Sequence, residues 1–176
     1  MQSLKVRYLV PIVALAASLA ITPSARSAPP EDAMNVPANV AAPNWELKDL
    51  DGKTVRSSDF RGKIVILDFW ATWCEPCRAE IPGLVALQKE YAPQELVVIG
   101  ASVDDSDVST VKQFTEKLGM NYPVALADEQ MQQTFGGIEA IPTTFIIDRT
   151  GRIVKKDFGF TSKDEFEQEI KPLLNL

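Results

Sequence analysis

Two cysteines, Cys74 and Cys77, are the only ones in this chain of 176 residues, and two residues separate them. Such a pair supports three kinds of chemistry: a redox-active dithiol, a structural disulfide, or half of a metal site. A disulfide across so short a loop removes little entropy from the unfolded chain, so it is a poor stabiliser. Structural zinc needs about four ligands, and the chain offers no further cysteine and no histidine. The pair therefore favours a redox dithiol, with the other two kept as alternatives.

The overall composition excludes several other functions. The absence of histidine removes Cys-His and Ser-His nucleophilic pairs and histidine metal ligands. The net charge is -6 and no Lys/Arg-rich run occurs, so we do not expect nucleic acid as a partner. Hydrophobic residues make up 45% of the chain, which is enough for a sizeable core.

The first 27 residues have the pattern of an export signal. Lys5 and Arg7 precede an apolar run from Tyr8 to Ile21, which is shorter than the roughly 20 residues that cross a bilayer. Small residues follow, with cleavage expected after Ser27; an uncleaved anchor is the alternative. We therefore expect the protein in the periplasm or on the outer face of the cytoplasmic membrane, where disulfides persist.

Residues 28–43 are rich in Ala and Pro and predict a flexible linker, so the domain is expected to span residues 44–176. Its hydrophobic patterns predict a β-hairpin first, with a turn at Asp51-Gly52. Two buried strands, "KIVILDFWA" and "ELVVIGASV", alternate with helices, and a second hairpin and a final helix follow. This order predicts an α/β fold with a mixed central sheet covered by helices on both faces.

The cysteines fall between the first buried strand and the helix that follows it. Free N–H groups in the first turn of a helix favour negative charge and lower the pKa of a thiol there. We expect Cys74 to be the exposed nucleophile and Cys77, one turn further on, to be the shielded resolving thiol. Pro76 suits the first turn, where its missing N–H costs nothing.

The segments "VILDFWATWCEPC" and, about 65 residues later, "IPTTFIID" resemble the thioredoxin superfamily. With the hairpin "LKDLDGKTVRSSDFRGK" before them, they resemble more closely the exported TlpA/ResA-like thiol-disulfide oxidoreductases. The resemblance implies a thioredoxin-like fold and a cis bond between Ile141 and Pro142 lying against the dithiol. It also implies that substrate binds around the dithiol and this proline, at Trp73, Glu75, Pro76, Ile141 and Thr143.

The resemblance suggests roles for two acids. Asp68 lies where thioredoxin carries a buried acid that accepts the proton of the resolving cysteine. TlpA/ResA-like proteins often have asparagine there, so a strand-end acid satisfied by hydrogen bonds is the alternative. Glu80 matches an acid that ResA-like proteins use at the active site; the alternative is a solvent-facing helix acid.

These features predict a monomeric reductase of exported protein disulfides that needs no cofactor or metal. Negative charge from Glu75, and from Asp68 and Glu80 if ionised, should raise the pKa of Cys74 and favour giving electrons. The resemblance implies a membrane thiol carrier of the CcdA/DsbD type as electron donor, and apocytochrome c or copper-site proteins as substrates. An oxidant or isomerase, a thiol peroxidase, a metal-binding module and a purely structural domain are the alternatives.

Overall fold

The computed structural model describes residues 39–176, so the predicted export signal and all but the end of the predicted linker lie outside the described residues. Within this range no helix is both long and apolar enough to cross a membrane. The strands are β1 Val40–Ala41, β2 Glu46–Lys48, β3 Thr54–Arg56, β4 Ile64–Trp70, β5 Leu96–Ser102, β6 Val124–Leu126, β7 Thr143–Ile147 and β8 Arg152–Phe158. The α-helices are α1 Glu75–Tyr91, α2 Val108–Lys117, α3 Glu129–Thr134 and α4 Lys163–Leu174.

Six strands form a mixed central sheet in the order β1-β8-β7-β4-β5-β6. β4, β5 and β6 are parallel, whereas β7, β8 and β1 join by antiparallel pairing. The predicted α/β fold with a mixed sheet is confirmed. β4 lies between β7 and β5 in the sheet and ends at Trp70, shortly before the dithiol. The cysteines therefore follow a strand that is hydrogen-bonded to a neighbour on each side.

Alternate residues of β4 contribute to two separate cores, because successive side chains of a strand point to opposite faces. Ile64, Ile66 and Trp70 pack with α1 and α4 on one face. Val65, Leu67 and Phe69 pack on the other face with α3 and the N-terminal hairpin. All seven β4 residues are buried, which explains why six of them are apolar and why Asp68 is the exception that needs a partner inside the protein.

The predicted N-terminal hairpin is present as a separate two-stranded sheet formed by β2 and β3. Its residues Trp45, Leu47 and Val55 are buried against the face of the sheet that is opposite α1. The hairpin therefore covers the face that α3 alone would leave partly open.

The predicted linker boundary at residue 43 needs a correction. Val40 and Ala41 form β1 and pair with Ile153 and Arg152 of β8. Two residues are too short to show a hydrophobic period, and their pairing uses the backbone, so no pattern in the sequence could mark this strand.

Capping residues define where the helices begin. The Asp107 side chain accepts a hydrogen bond from the Thr110 N–H, 3.0 Å away, at the start of α2. Ser162 and Glu165 form the predicted capping box of α4. Such caps are each worth about 1 kcal/mol because they satisfy otherwise unpaired N–H groups.

Candidate active site

Cys74 is the N-cap residue of α1 and is joined to Cys77 by a disulfide. The Cys77 N–H donates to the Cys74 sulfur at 3.3 Å, so the first turn of the helix directs its free donors at the reactive atom. The sulfur therefore lies in the field of the helix N-terminus, as the sequence predicts, and this field favours negative charge on Cys74.

The two cysteines differ in accessibility less than the sequence suggests. Cys74 is 5% exposed and Cys77 is completely buried. Cys74 is therefore the more accessible of the two, but the expectation of an openly exposed nucleophile needs correction. The reason is that its sulfur is turned toward Cys77 and also lies 3.7 Å from the carbonyl oxygen of Ile141.

The Ile141–Pro142 peptide bond is cis, as the resemblance implies. It precedes β7, which pairs with β4, so the shared ladder brings the proline to the same edge of the sheet as the dithiol. The Pro142 carbonyl accepts a hydrogen bond from the Gly159 N–H at 2.9 Å, which ties this loop to the end of β8. The carbonyl oxygen of Ile141 is the polar atom of this loop that lies beside the Cys74 sulfur.

The residues proposed to bind substrate have different surroundings. Trp73 is 69% exposed, and Glu75 and Pro76 are also exposed beside the disulfide. Ile141 is half-buried. Thr143 is completely buried, and its hydroxyl donates to the Ala140 carbonyl at 2.6 Å, so its side chain is occupied within the protein.

The two acids lie on the protein side of the dithiol. Asp68 and Glu80 are each only 1% exposed. By the alternation of β4, Asp68 points to the same face as Trp70, beneath α1. Glu80 is buried on α1 three residues after Cys77, so both lie on the face of the helix that meets the sheet.

Each acid has one hydrogen bond to its surroundings. The Thr144 hydroxyl donates to Asp68 Oδ1 at 3.3 Å from the neighbouring position in β7. The Thr161 N–H donates to Glu80 Oε1 at 3.1 Å. Glu80 therefore faces the core, and the alternative of a solvent-facing helix acid is contradicted.

Burial controls the protonation of this acid pair. Loss of solvation raises the pKa of Asp68 to about 7, and the hydrogen bond from Thr144 opposes part of this rise. Loss of solvation, followed by the charge of Asp68, raises the pKa of Glu80 to about 9. Burial therefore favours the protonated form of both carboxyls, and most strongly that of Glu80, which keeps its proton at neutral pH and adds no negative charge near the thiol.

The sequence did not reveal Asp104, which holds the turn that leads into the dithiol. Its carboxylate accepts hydrogen bonds from the Thr72 N–H at 2.9 Å and the Thr72 hydroxyl at 2.6 Å. The Ser102 hydroxyl donates to the same carboxylate at 2.7 Å. Because β4 and β5 are parallel, their carboxyl ends meet at one edge of the sheet, and a polar residue just past β5 was the available signal.

A mixed sheet, a CxxC disulfide at the start of a helix and a cis-proline at the same edge define a thioredoxin-like thiol-disulfide oxidoreductase. The comparisons agree with this class. The chain is 37% identical over 134 residues to the "Thiol-disulfide oxidoreductase ResA" of Bacillus subtilis (strain 168), covering 74% of each chain. The AhpC/TSA family matches residues 38–156, and the chain belongs to this family.

Solved structures show the same fold. A thiol:disulfide interchange protein of the thioredoxin family from Chlorobium tepidum TLS is 34% identical, with a TM-score of 0.72 over 80% of this chain and 99% of that one. A secreted thiol-disulfide isomerase from Corynebacterium glutamicum is 27% identical, with a TM-score of 0.71 over 77% of this chain and 86% of that one.

Proposed function

We propose that this thiol-disulfide oxidoreductase is exported and reduces disulfides of other exported proteins through a mixed disulfide on Cys74. The observation that carries the proposal is the acid pair, Asp68 and Glu80, buried on the Cys77 side of the dithiol. A fully buried thiol cannot pass its proton directly to water, so its reaction needs an acceptor inside the protein.

The reaction begins with the reduced protein. The Cys74 thiolate attacks one sulfur of the substrate disulfide, forms a mixed disulfide and releases the first substrate thiolate. Cys77 then loses its proton to Asp68, and its sulfur attacks Cys74, which releases the second substrate thiolate. The protein loses two electrons and forms the Cys74–Cys77 disulfide, while the substrate gains the two electrons and takes up two protons.

The raised pKa values suit the two acids to different parts of this step. An acceptor works best when its pKa is near the working pH, which describes Asp68. Glu80 keeps its proton in the same range and so limits the pair to one ionised carboxylate. The pair therefore acts as a single proton acceptor: Asp68 takes up the proton, while Glu80 stays protonated.

The proposed direction follows from weak stabilisation of the Cys74 thiolate. The helix N-terminus favours the thiolate, but burial and the nearby Ile141 carbonyl oxygen oppose it. A dithiol whose thiolate is only modestly stabilised is a better electron donor than one whose thiolate is strongly stabilised. Exposed Glu75, directly after Cys74, adds negative charge on the same side.

The location and partners are part of the proposal. The apolar N-terminal pattern supports export to the periplasm or the outer face of the cytoplasmic membrane, and a protein in the same fold class is described as secreted. A reductant there needs electrons from the cytoplasm, and we propose a membrane thiol carrier of the CcdA/DsbD type as their source. We propose that the protein acts as a monomer on disulfides such as those of apocytochrome c or copper-site proteins.

The experiment that tests this function traps the substrate. A Cys77→Ser variant expressed in the native host should accumulate mixed disulfides on Cys74, identifiable by mass spectrometry, whereas Cys74→Ser should accumulate none. The purified wild type should also catalyse insulin reduction by a small thiol. Equal trapping by the two variants, or no insulin reduction, would contradict the proposal; rapid peroxide consumption with a thiol reductant would favour a peroxidase instead.

A further inference from the structure

A row of side chains crosses the sheet beneath the first turns of α1. In the strand register, Asp68 is directly opposite Thr144 on one side and Gly100 on the other. The row continues to Asp157 on β8 and Val124 on β6. Adjacent strands are about 4.8 Å apart, so whatever occupies the space above Gly100 is a neighbour of the Asp68 carboxyl.

Gly100 allows two large side chains to approach the sheet at this point. A Cβ at Gly100 would lie 2.9 Å from Trp70 Nε1 and 3.4 Å from Tyr122 Cε2. The Gly100 N–H also donates to the carbonyl of Pro123 at 2.9 Å, which holds the adjacent Tyr122 against the end of β5. The indole nitrogen and the phenol ring are therefore packed beside the row that contains Asp68.

Three buried polar atoms around this point have no hydrogen-bond partner among residues 39–176: Trp70 Nε1, Glu80 Oε2 and Tyr122 Oη. Each belongs to a residue that is more than nine-tenths buried. An unpaired buried polar atom costs about 1–3 kcal/mol, so three of them beside one acid pair call for a shared partner. An indole N–H, a hydroxyl and a carboxyl oxygen are the kinds of group that hold an internal water.

The charges of both acids act on the phenol of Tyr122. Burial, followed by the charges of Asp68 and Glu80, raises the pKa of Tyr122 well above its usual value. The phenol therefore remains a neutral donor. The other titratable groups facing the pair are Cys77 on α1 and Asp157 on β8, whose charge also raises the pKa of Glu80.

The pocket beside Tyr122 supplies a connection to solvent. Tyr122 lines an open surface pocket of about 240 Å³, together with residues of the segments 49–51, 112–116 and 120–124. The residue is 8% exposed while its hydroxyl is buried. Tyr122 therefore spans the distance between this surface pocket and the interior near the acids.

We propose that Tyr122 is a positioning residue of the acid pair, whose hydroxyl holds an internal water shared with Trp70 Nε1 and Glu80 Oε2. Donation from this hydroxyl and water favours the ionised form of the pair. It thereby sets the pH at which the pair can accept the proton of Cys77. The inference rests on the proposed function, because only disulfide exchange gives that proton transfer a role.

The test compares Tyr122→Phe with Tyr91→Phe, a matched control at the C-terminal end of α1 that loses a phenol hydroxyl bonded to Glu167 at 3.1 Å. Carboxyl ¹³C shifts of the reduced proteins are followed by NMR from about pH 5 to 10. Tyr122→Phe should move the titration of the pair upward by about one pH unit, since a donor to the ionised form is lost. The control should titrate as the wild type does.

An unchanged titration in folded Tyr122→Phe would overturn the inference. A second measurement needs no variant: in the wild type, the Trp70 indole proton should show an NMR cross-peak to a long-lived internal water, and its absence would overturn the inference equally. These outcomes are separate from the proposed function. If the wild type exchanges disulfides but either result fails, only the role of Tyr122 is refuted, whereas a wild type without exchange refutes the function itself.

Discussion

Burial of Asp68 predicts a specific dependence of stability on pH. The pKa of its carboxyl rises from 3.8 to about 7 on folding because the group loses its solvation. Between these values the unfolded chain is ionised and the folded protein retains the proton, so the folded state binds more protons and its stability falls as the pH rises. Roughly three pH units at 1.36 kcal/mol each correspond to a loss of about 4 kcal/mol above pH 7.

That loss is a large share of the 5–15 kcal/mol that typically separates folded from unfolded proteins. Asp68→Asn removes this pH-dependent loss of stability, because an amide does not ionise. The amide Oδ1 can still accept the hydrogen bond from the Thr144 hydroxyl. Urea unfolding of the oxidised proteins, between about pH 4 and pH 9, should therefore show a weaker fall in stability for the variant than for the wild type. The oxidised form is used because disulfide-bonded cysteines do not titrate.

The control for this experiment is Asp105→Asn, which replaces an exposed aspartate. Its stability should follow that of the wild type at every pH. The reasoning would be refuted if Asp68→Asn and the wild type lost stability equally between pH 4 and pH 7. That result would mean that the Asp68 carboxyl is solvated or paired in the folded protein.

Three further substitutions test the contacts around the site, with Gly83→Ala as the control for Gly100→Ala. Gly100→Ala places a Cβ 2.9 Å from Trp70 Nε1 and should lower the free energy of unfolding by about 1–3 kcal/mol in urea titrations. Gly83→Ala within α1, where the nearest atoms belong to Lys163 and would be 3.5 Å away, should instead be neutral or stabilising by up to about 1 kcal/mol, and a similar loss in both would contradict the packing argument. Asp104→Asn weakens the acceptor for Thr72 and should cost about 2 kcal/mol of stability and slow insulin reduction; wild-type values for both would show that this contact does not hold the turn.

The sequence predicted the main elements of the fold because each has a strong local signal. The run that forms β4 is apolar except for Asp68, and Ser162 with Glu165 marks the start of α4 by a capping pattern. The dithiol was predictable for the same reason, since only two residues separate its cysteines. The two-residue strand β1 was missed because its pairing depends on backbone groups and not on a side-chain pattern.

The surroundings of the dithiol were harder to predict because they come from distant parts of the chain. Glu80 could be placed on α1 from its spacing, but its burial depends on α1 meeting the sheet and on the Thr161 N–H. Tyr122 and Gly100 become neighbours of Asp68 only through the register of β4, β5 and β6. Long-range contacts of this kind leave no trace in the local sequence pattern.

Burial of the acids also changes the reasoning about electron flow. Negative charge on both acids was one expected cause of a reducing dithiol, yet a pKa of about 9 leaves Glu80 neutral near pH 7. The proposed direction therefore depends more on the burial of Cys74 than on the charge of the acids. In the proposed function the acids serve instead as a proton acceptor for Cys77, a role that the charge argument did not require.

The measurement that tests the central claim most directly is the reduction potential of the Cys74–Cys77 disulfide, determined at pH 7 by equilibration with glutathione. A reductant with a modestly stabilised thiolate should have a potential close to the value of about -270 mV found for thioredoxin. A potential near -120 mV, as in a strong protein oxidant, would contradict the account, because it would mean that the protein strongly stabilises the reduced dithiol.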